Sequence, residues 1–92
     1  MLGSVVLSVA GRDKDKYFIV VKVIDDSFVM IADGESHLLE KPKKKRRKHI
    51  KPIGVVIEKL ADKFAESMTV YDAEIRSNLK PYSKKEVTDG EG

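Results

Sequence analysis

The stretch Lys41-Pro42-Lys43-Lys44-Lys45-Arg46-Arg47-Lys48-His49-Ile50-Lys51 holds eight lysine or arginine side chains and no acid. The rest of the chain carries ten basic against fifteen acidic side chains, so the formal net charge of +3 conceals a mildly anionic body with one concentrated cationic segment. A charge run is usually a solvated face, but this one repels itself unless anions stand opposite it. The chemistry it suits is phosphate neutralisation, in which released counterions make affinity fall steeply with salt. Two rival readings use the same residues. Pro42 to Lys48 matches a nuclear localisation pattern, and anionic lipid also attracts such runs, although no apolar anchor lies within this one.

A second cluster follows Gly11, where Arg12, Lys14 and Lys16 alternate with Asp13 and Asp15. Loops on a rigid β scaffold are common binding sites. The bland alternative is a solvated turn, and Asp13 and Asp15 weaken its positive field. Tyr17, Phe18 and Phe28 are aromatics that could stack on unpaired bases. Phe18 and Phe28 are expected in the core, which leaves Tyr17, beside the turn, as the stacking candidate. Phe64, Tyr71 and Tyr82 are expected to pack helices. Catalysis finds little support. His37 and His49 lack the spaced carboxylate partners of a metal site or triad, and no phosphate-cradling glycine-rich motif is present. No catalytic residue, metal or cofactor is expected. The chain has no cysteine, which excludes a disulfide framework and thiolate metal sites and fits a reducing compartment. No stretch approaches the ~20 apolar residues of a membrane span. No basic segment precedes Val5–Val9, so a signal peptide is not expected.

These side chains must be positioned by a small scaffold. A chain of 92 residues makes one domain with a thin core, burying about 60–65% of its extended surface. Three apolar runs without proline read as strands at about Ser4–Ala10, Lys16–Ile24 and Phe28–Ala32. In the first, Val5, Leu7 and Val9 alternate with Ser4, Val6, Ser8 and Ala10, and the two serines suggest a wet face. The second is apolar on both faces and is expected to be central. Asp25-Asp26-Ser27 is turn chemistry, and Asp33-Gly34 reads as a type I′ hairpin leading into a fourth strand at about Glu35–Glu40. His49-Ile50-Lys51 reads as a short fifth strand stopped by Pro52. Five short strands with tight turns suggest a small barrel. Ile57, Leu60, Ala61 and Phe64 then fall at helical spacing within about Val55–Glu66, which Ser67 and Met68 end. A second helix covers about Tyr71–Lys80, capped by Thr69 or Asp72 and stopped by Pro81. The polar stretch from Ser83 to Gly92 is expected to be a disordered tail.

The segment Leu2-Gly3-Ser4-Val5-Val6 … Val9-Ala10-Gly11-Arg12-Asp13-Lys14 … Phe18-Ile19-Val20-Val21-Lys22-Val23-Ile24-Asp25 resembles the KOW motif, a run of alternating apolar and polar residues about one glycine, here Gly11. The order of a Gly-Arg-Asp turn, an Asp-Gly hairpin and a lysine run is most similar to the KOW-type ribosomal proteins of the large subunit and their small bacterial relatives. Where Asp15 stands, family members often have glycine; aspartate can also visit the left-handed region. The resemblance implies an SH3-like five-stranded barrel that binds RNA.

Together these readings give a mostly β fold with C-terminal helices: an SH3-like barrel over residues 1–53, a helical extension over 54–82 and a tail over 83–92. The expected function is non-catalytic binding of structured ribosomal RNA by a cytoplasmic, ribosome-associated protein, monomeric when free, with ribosomal proteins as further partners and no membrane. The site would comprise Arg12, Lys14, Lys16 and Tyr17 with Lys41, Lys43, Lys44, Lys45, Arg46, Arg47, Lys48, His49 and Lys51, shaped by the turns at Gly11, Asp33 and Gly34. On this reading, alanines at Lys43–Lys48 weaken RNA binding without unfolding the barrel. The alternative is an SH3-like protein-interaction module whose basic run is a localisation signal.

Overall fold

The computed structural model describes residues 1–83. Five antiparallel strands form one sheet: β1 (Ser4–Ser8), β2 (Tyr17–Val23), β3 (Phe28–Ala32), β4 (Lys43–Arg46) and β5 (Ile50–Val56), in the order β4-β3-β2-β1-β5. A 3-10 turn at Arg47–His49 joins the two edge strands, and α1 (Glu58–Ala65) and α2 (Asp72–Ser83) follow. This is the mostly β, five-stranded arrangement with two C-terminal helices that the sequence implied.

The two-sided apolarity of β2 makes it the centre of two cores. On one side Phe18 and Val20 join Val6, Val29, Ile31 and Ile50 inside the bend of the sheet. On the other, Ile19 and Val5 meet Leu60 of α1 and Ile75 and Leu79 of α2. Each large side chain buried this way contributes about 1.5–3 kcal/mol. The spacing of Ile57, Leu60 and Phe64 turns α1 onto that outer core. Ser67, at φ 55, ends the helix as its position suggested.

Several expectations are corrected. The serines of β1 are not wet: Ser4 is 7% and Ser8 0% exposed, because both faces of β1 are covered. Residues Glu35–Glu40 form no strand. Only Gly34 of the Asp33-Gly34 pair has positive φ, so the turn is not type I′. The Asp33 carboxylate accepts from the amides of Glu35 (2.9 Å) and His37 (2.8 Å), coiling the chain back on itself. The fourth strand lies instead within the basic run, where an edge position lets charged side chains reach water. The fifth is longer than expected and passes through Pro52, which an edge strand tolerates; it runs across the expected 53/54 boundary and delays α1 to Glu58.

Asp72 does not cap α2. Its carboxylate accepts from the Leu39 amide at 2.8 Å, and Glu74 accepts from the Tyr71 amide at 3.1 Å. No hydrogen bond to the Thr69 side chain is found among the described residues. Nor does Pro81 stop the helix, which continues to Ser83 because Tyr82 is anchored against Tyr17, ring centroids 6.0 Å apart. Phe28 is not a core residue, being half-buried on the outer face of β3. Tyr71 packs little, at 66% exposed. Of the expected tail, all but Ser83 lies outside the described residues.

Candidate nucleic-acid interface

The Gly11–Lys16 turn is built by its backbone. Gly11 takes φ 88 and Asp15 φ 73, left-handed geometry that glycine adopts freely and aspartate tolerates. The Asp15 amide donates to Ser8 O (2.7 Å) and the Ser8 amide to Lys16 O (2.9 Å), closing the turn on β1. The Val9 amide donates to His49 O at 2.9 Å, which ties the same end of β1 to the turn before β5.

Inside this loop Asp13 points inward. It is 5% exposed, and its Oδ1 accepts from Lys45 Nζ and from the Ser8 hydroxyl, both at 2.8 Å. Lys43 Nζ lies 3.2 Å from Oδ2. Lys45 Nζ also donates to Ala10 O at 2.8 Å. Burial pushes the Asp13 carboxyl up, but the hydrogen bonds from Lys45 and Ser8 and the ion pair with Lys43 outweigh it and hold the group well below the usual carboxylate range.

Strand pairing explains why these lysines turn inward. Lys45 stands opposite Val29 and Lys43 opposite Ile31, so both share the face of the inner core. Their alkyl stems run along apolar surface and their ammonium groups emerge at the Gly11 turn. A β-carbon on Gly11 would sit 3.3 Å from Lys45 Nζ, so the glycine also makes room for the pair.

The structure therefore brings the turn and the basic run together, but divides the run between two faces. Lys43 and Lys45 are compensated by Asp13, correcting the picture of eight uncompensated charges. Lys44 and Arg46 alternate to the outer face beside Phe28 and Met30. Arg12, Lys14, Lys16, Lys41, Lys48 and Lys51 are exposed, while Arg47 and His49 are half-buried. The Arg47 Nη1 donates to Asp25 O at 3.4 Å. Of the expected site residues, Tyr17 is drawn away: it is half-buried and packed on Tyr82. His37 packs in a tilted arrangement against Phe18, 5.8 Å between centroids. Among the described residues, no group of three or more potential ligands could hold a metal ion, and no helix is long and apolar enough to cross a membrane.

Sequence reasoning assigned Asp13 the opposite role, that of diluting a positive turn. The available signal was its place beside Ser8 at the only glycine of the turn. What fixed its role was a lysine 32 residues away.

No family model matches the chain. Over 57 residues, 62% of its length, it is 33% identical to the large ribosomal subunit protein eL14 of Staphylothermus marinus. The match spans 59% of that relative, so the chain covers less than two thirds of the curated protein it matches. The resemblance to large-subunit ribosomal proteins drawn from the KOW-like segment has this relative behind it.

Proposed function

We propose that this protein is a non-catalytic RNA-binding protein of the ribosome, which docks on structured ribosomal RNA through the Gly11–Lys16 turn and the exposed cations of the basic segment. The five strands, through Val56, form the binding unit, a KOW-type barrel, and the helices Glu58–Ala65 and Asp72–Ser83 buttress it. It works in the cytoplasm, as a monomer when free, with ribosomal proteins among its neighbours. The observation that carries this reading is the Asp13 clamp. It holds the turn against β4 and leaves outside a set of cations that form no ion pair: among the described residues the ion pairs involve only Lys43, Lys45 and Lys63. Arg12, Lys14, Lys16 and Lys48 then offer phosphate contacts from a rigid base, which position a protein on RNA with little sequence reading. The large-subunit ribosomal relative supports the same assignment. Burial of Lys45 within a sheet counts against the localisation-signal alternative, because such signals are read as accessible chain.

The test is a salt titration of binding to ribosomal RNA fragments. Converting Arg12, Lys14 and Lys16 to alanine lowers the slope of log affinity against log salt by about 2–3, at about 0.7–0.9 per lost phosphate contact. Unchanged affinity and slope would overturn the proposal.

A further inference from the structure

The helices cover only part of the outer face of the sheet. Ala32 and Ile19 pair across β3 and β2 and are fully buried, with Ile19 packed on Leu60, Ile75 and Leu79. The other end of the same face carries Lys22 opposite Met30, Met30 opposite Lys44, and Phe28 opposite Arg46. Met30 and Phe28 are half-buried, and Lys22, Lys44 and Arg46 are exposed. Lys44 Nζ lies 4.5 Å and Arg46 Cζ 5.1 Å from the Phe28 ring centroid. The acids nearby are those of the β2–β3 turn. Asp25 is occupied, accepting from the amides of Ser27 (2.8 Å) and Phe28 (2.9 Å), which leaves the exposed Asp26.

We propose that this half of the outer face, centred on Phe28, is a separate contact for an unpaired nucleotide, with the base stacked on the Phe28–Arg46 platform and the flanking phosphates on Lys22 and Lys44. It rests on the RNA-binding reading above and adds the class of RNA element this surface takes. An aromatic ring with an adjacent guanidinium is a stacking platform, and bases stack on it with little regard to sequence. Side chains on alternate positions of one strand are about 7 Å apart, so Lys44 and Arg46 stand side by side. A paired helix hides its base faces and would gain only the charges. The Gly11 turn lies with Lys43 and Lys45 at the inner face of β4, so the two surfaces are distinct and can be altered independently.

The experiment compares a labelled oligouridine with a fully paired RNA hairpin of equal phosphate number, both titrated with the full chain at fixed salt. Phe28→Leu, which keeps an apolar side chain, should weaken oligouridine binding about five- to hundredfold, the range for one stacked base, and change hairpin binding less than twofold. Phe28→Tyr should restore oligouridine binding. Arg12, Lys14 and Lys16 changed to alanine should weaken both probes. Oligouridine affinity within twofold of wild type in Phe28→Leu overturns the stacking site and leaves the RNA-binding reading standing; failure of the wild-type chain to bind either RNA overturns that reading instead. A measurement on the wild type needs no variant: the Phe28 ring resonances should shift when oligouridine is added and stay in place with polyglutamate of equal charge. Equal shifts with both polyanions, or none with RNA, overturn it.

Discussion

Asp13 does the work of a cross-link. A carboxylate this deep is costly to ionise, and it stays ionised only because two ammonium groups and a hydroxyl surround it. Removing one partner strands the others. Asp13→Ala should therefore destabilise the fold by about 3–5 kcal/mol, measured by urea denaturation at neutral pH. Lys45→Met should be damaging in the same way, since it keeps the stem but leaves Asp13 short of its main partner. The double variant Asp13→Leu with Lys45→Met should recover much of the loss, because an apolar pair of similar volume replaces an ion pair at little net cost; strict additivity in that cycle would mean that the two side chains do not act together.

The same residue sets an acid limb. The folded carboxyl holds off its proton to a pH well below the ordinary aspartate value of about 3.9, which applies to the unfolded chain. Between those limits the unfolded state binds more protons, so stability rises with pH. The contribution is complete well above pH 4 and is lost progressively as pH falls below about 4. Asp13→Asn should flatten that part of the stability curve in denaturation series at several pH values.

At the scale of elements, the connection between β3 and β4 is held by α2. Arg76 Nη1 donates to Gly34 O at 2.7 Å, and Asp72 takes the Leu39 amide. Gly34 allows this approach twice over: it sits at φ 78, and a β-carbon there would lie 2.5 Å from Asp72 O. Gly34→Ala should push the connection off the helix. The expected result is a lower melting temperature with faster amide exchange in α2, whereas β1 and β2 stay protected. This packing also explains why the stretch after Gly34 is not a strand: its amides at Glu35, His37 and Leu39 are taken by aspartate side chains, so they are not free for a neighbouring strand.

For the whole molecule, the cationic run has two functions that a charge count merges. Lys43 and Lys45 close the sheet against the β1–β2 turn, and the others face solvent or the outer surface. Alanines throughout Lys43–Lys48 should thus unfold the protein, contrary to the simpler expectation of a spare binding segment. Changing only Lys44, Arg46 and Lys48 to alanine should keep the far-UV circular dichroism and most of the melting temperature while RNA affinity and its salt slope fall. A collapse of both variants alike would mean that the outward cations are structural too.

Local pattern sufficed for much of this. The apolar run of Tyr17–Ile24, interrupted only by Lys22, placed a central strand with a core on each side, and Phe28–Ala32 was bounded correctly by its turn residues. The spacing of Leu60 and Phe64, and of Ile75 and Leu79, put both helices close to their observed positions. The concentration of lysine and arginine showed that the positive charge is gathered in one segment. The tertiary structure alone decided which charges are available. Burial of Ser8, Asp13 and Lys45 depends on groups brought together from strands that are not neighbours in the sheet, and an aspartate in a turn or a lysine in a basic run looks the same in sequence whether it has found such a partner or not. For the same reason Phe28 could not be told from a core phenylalanine: period-two alternation gives its face, but the helices that cover one half of that face and leave the other open are placed by long-range packing.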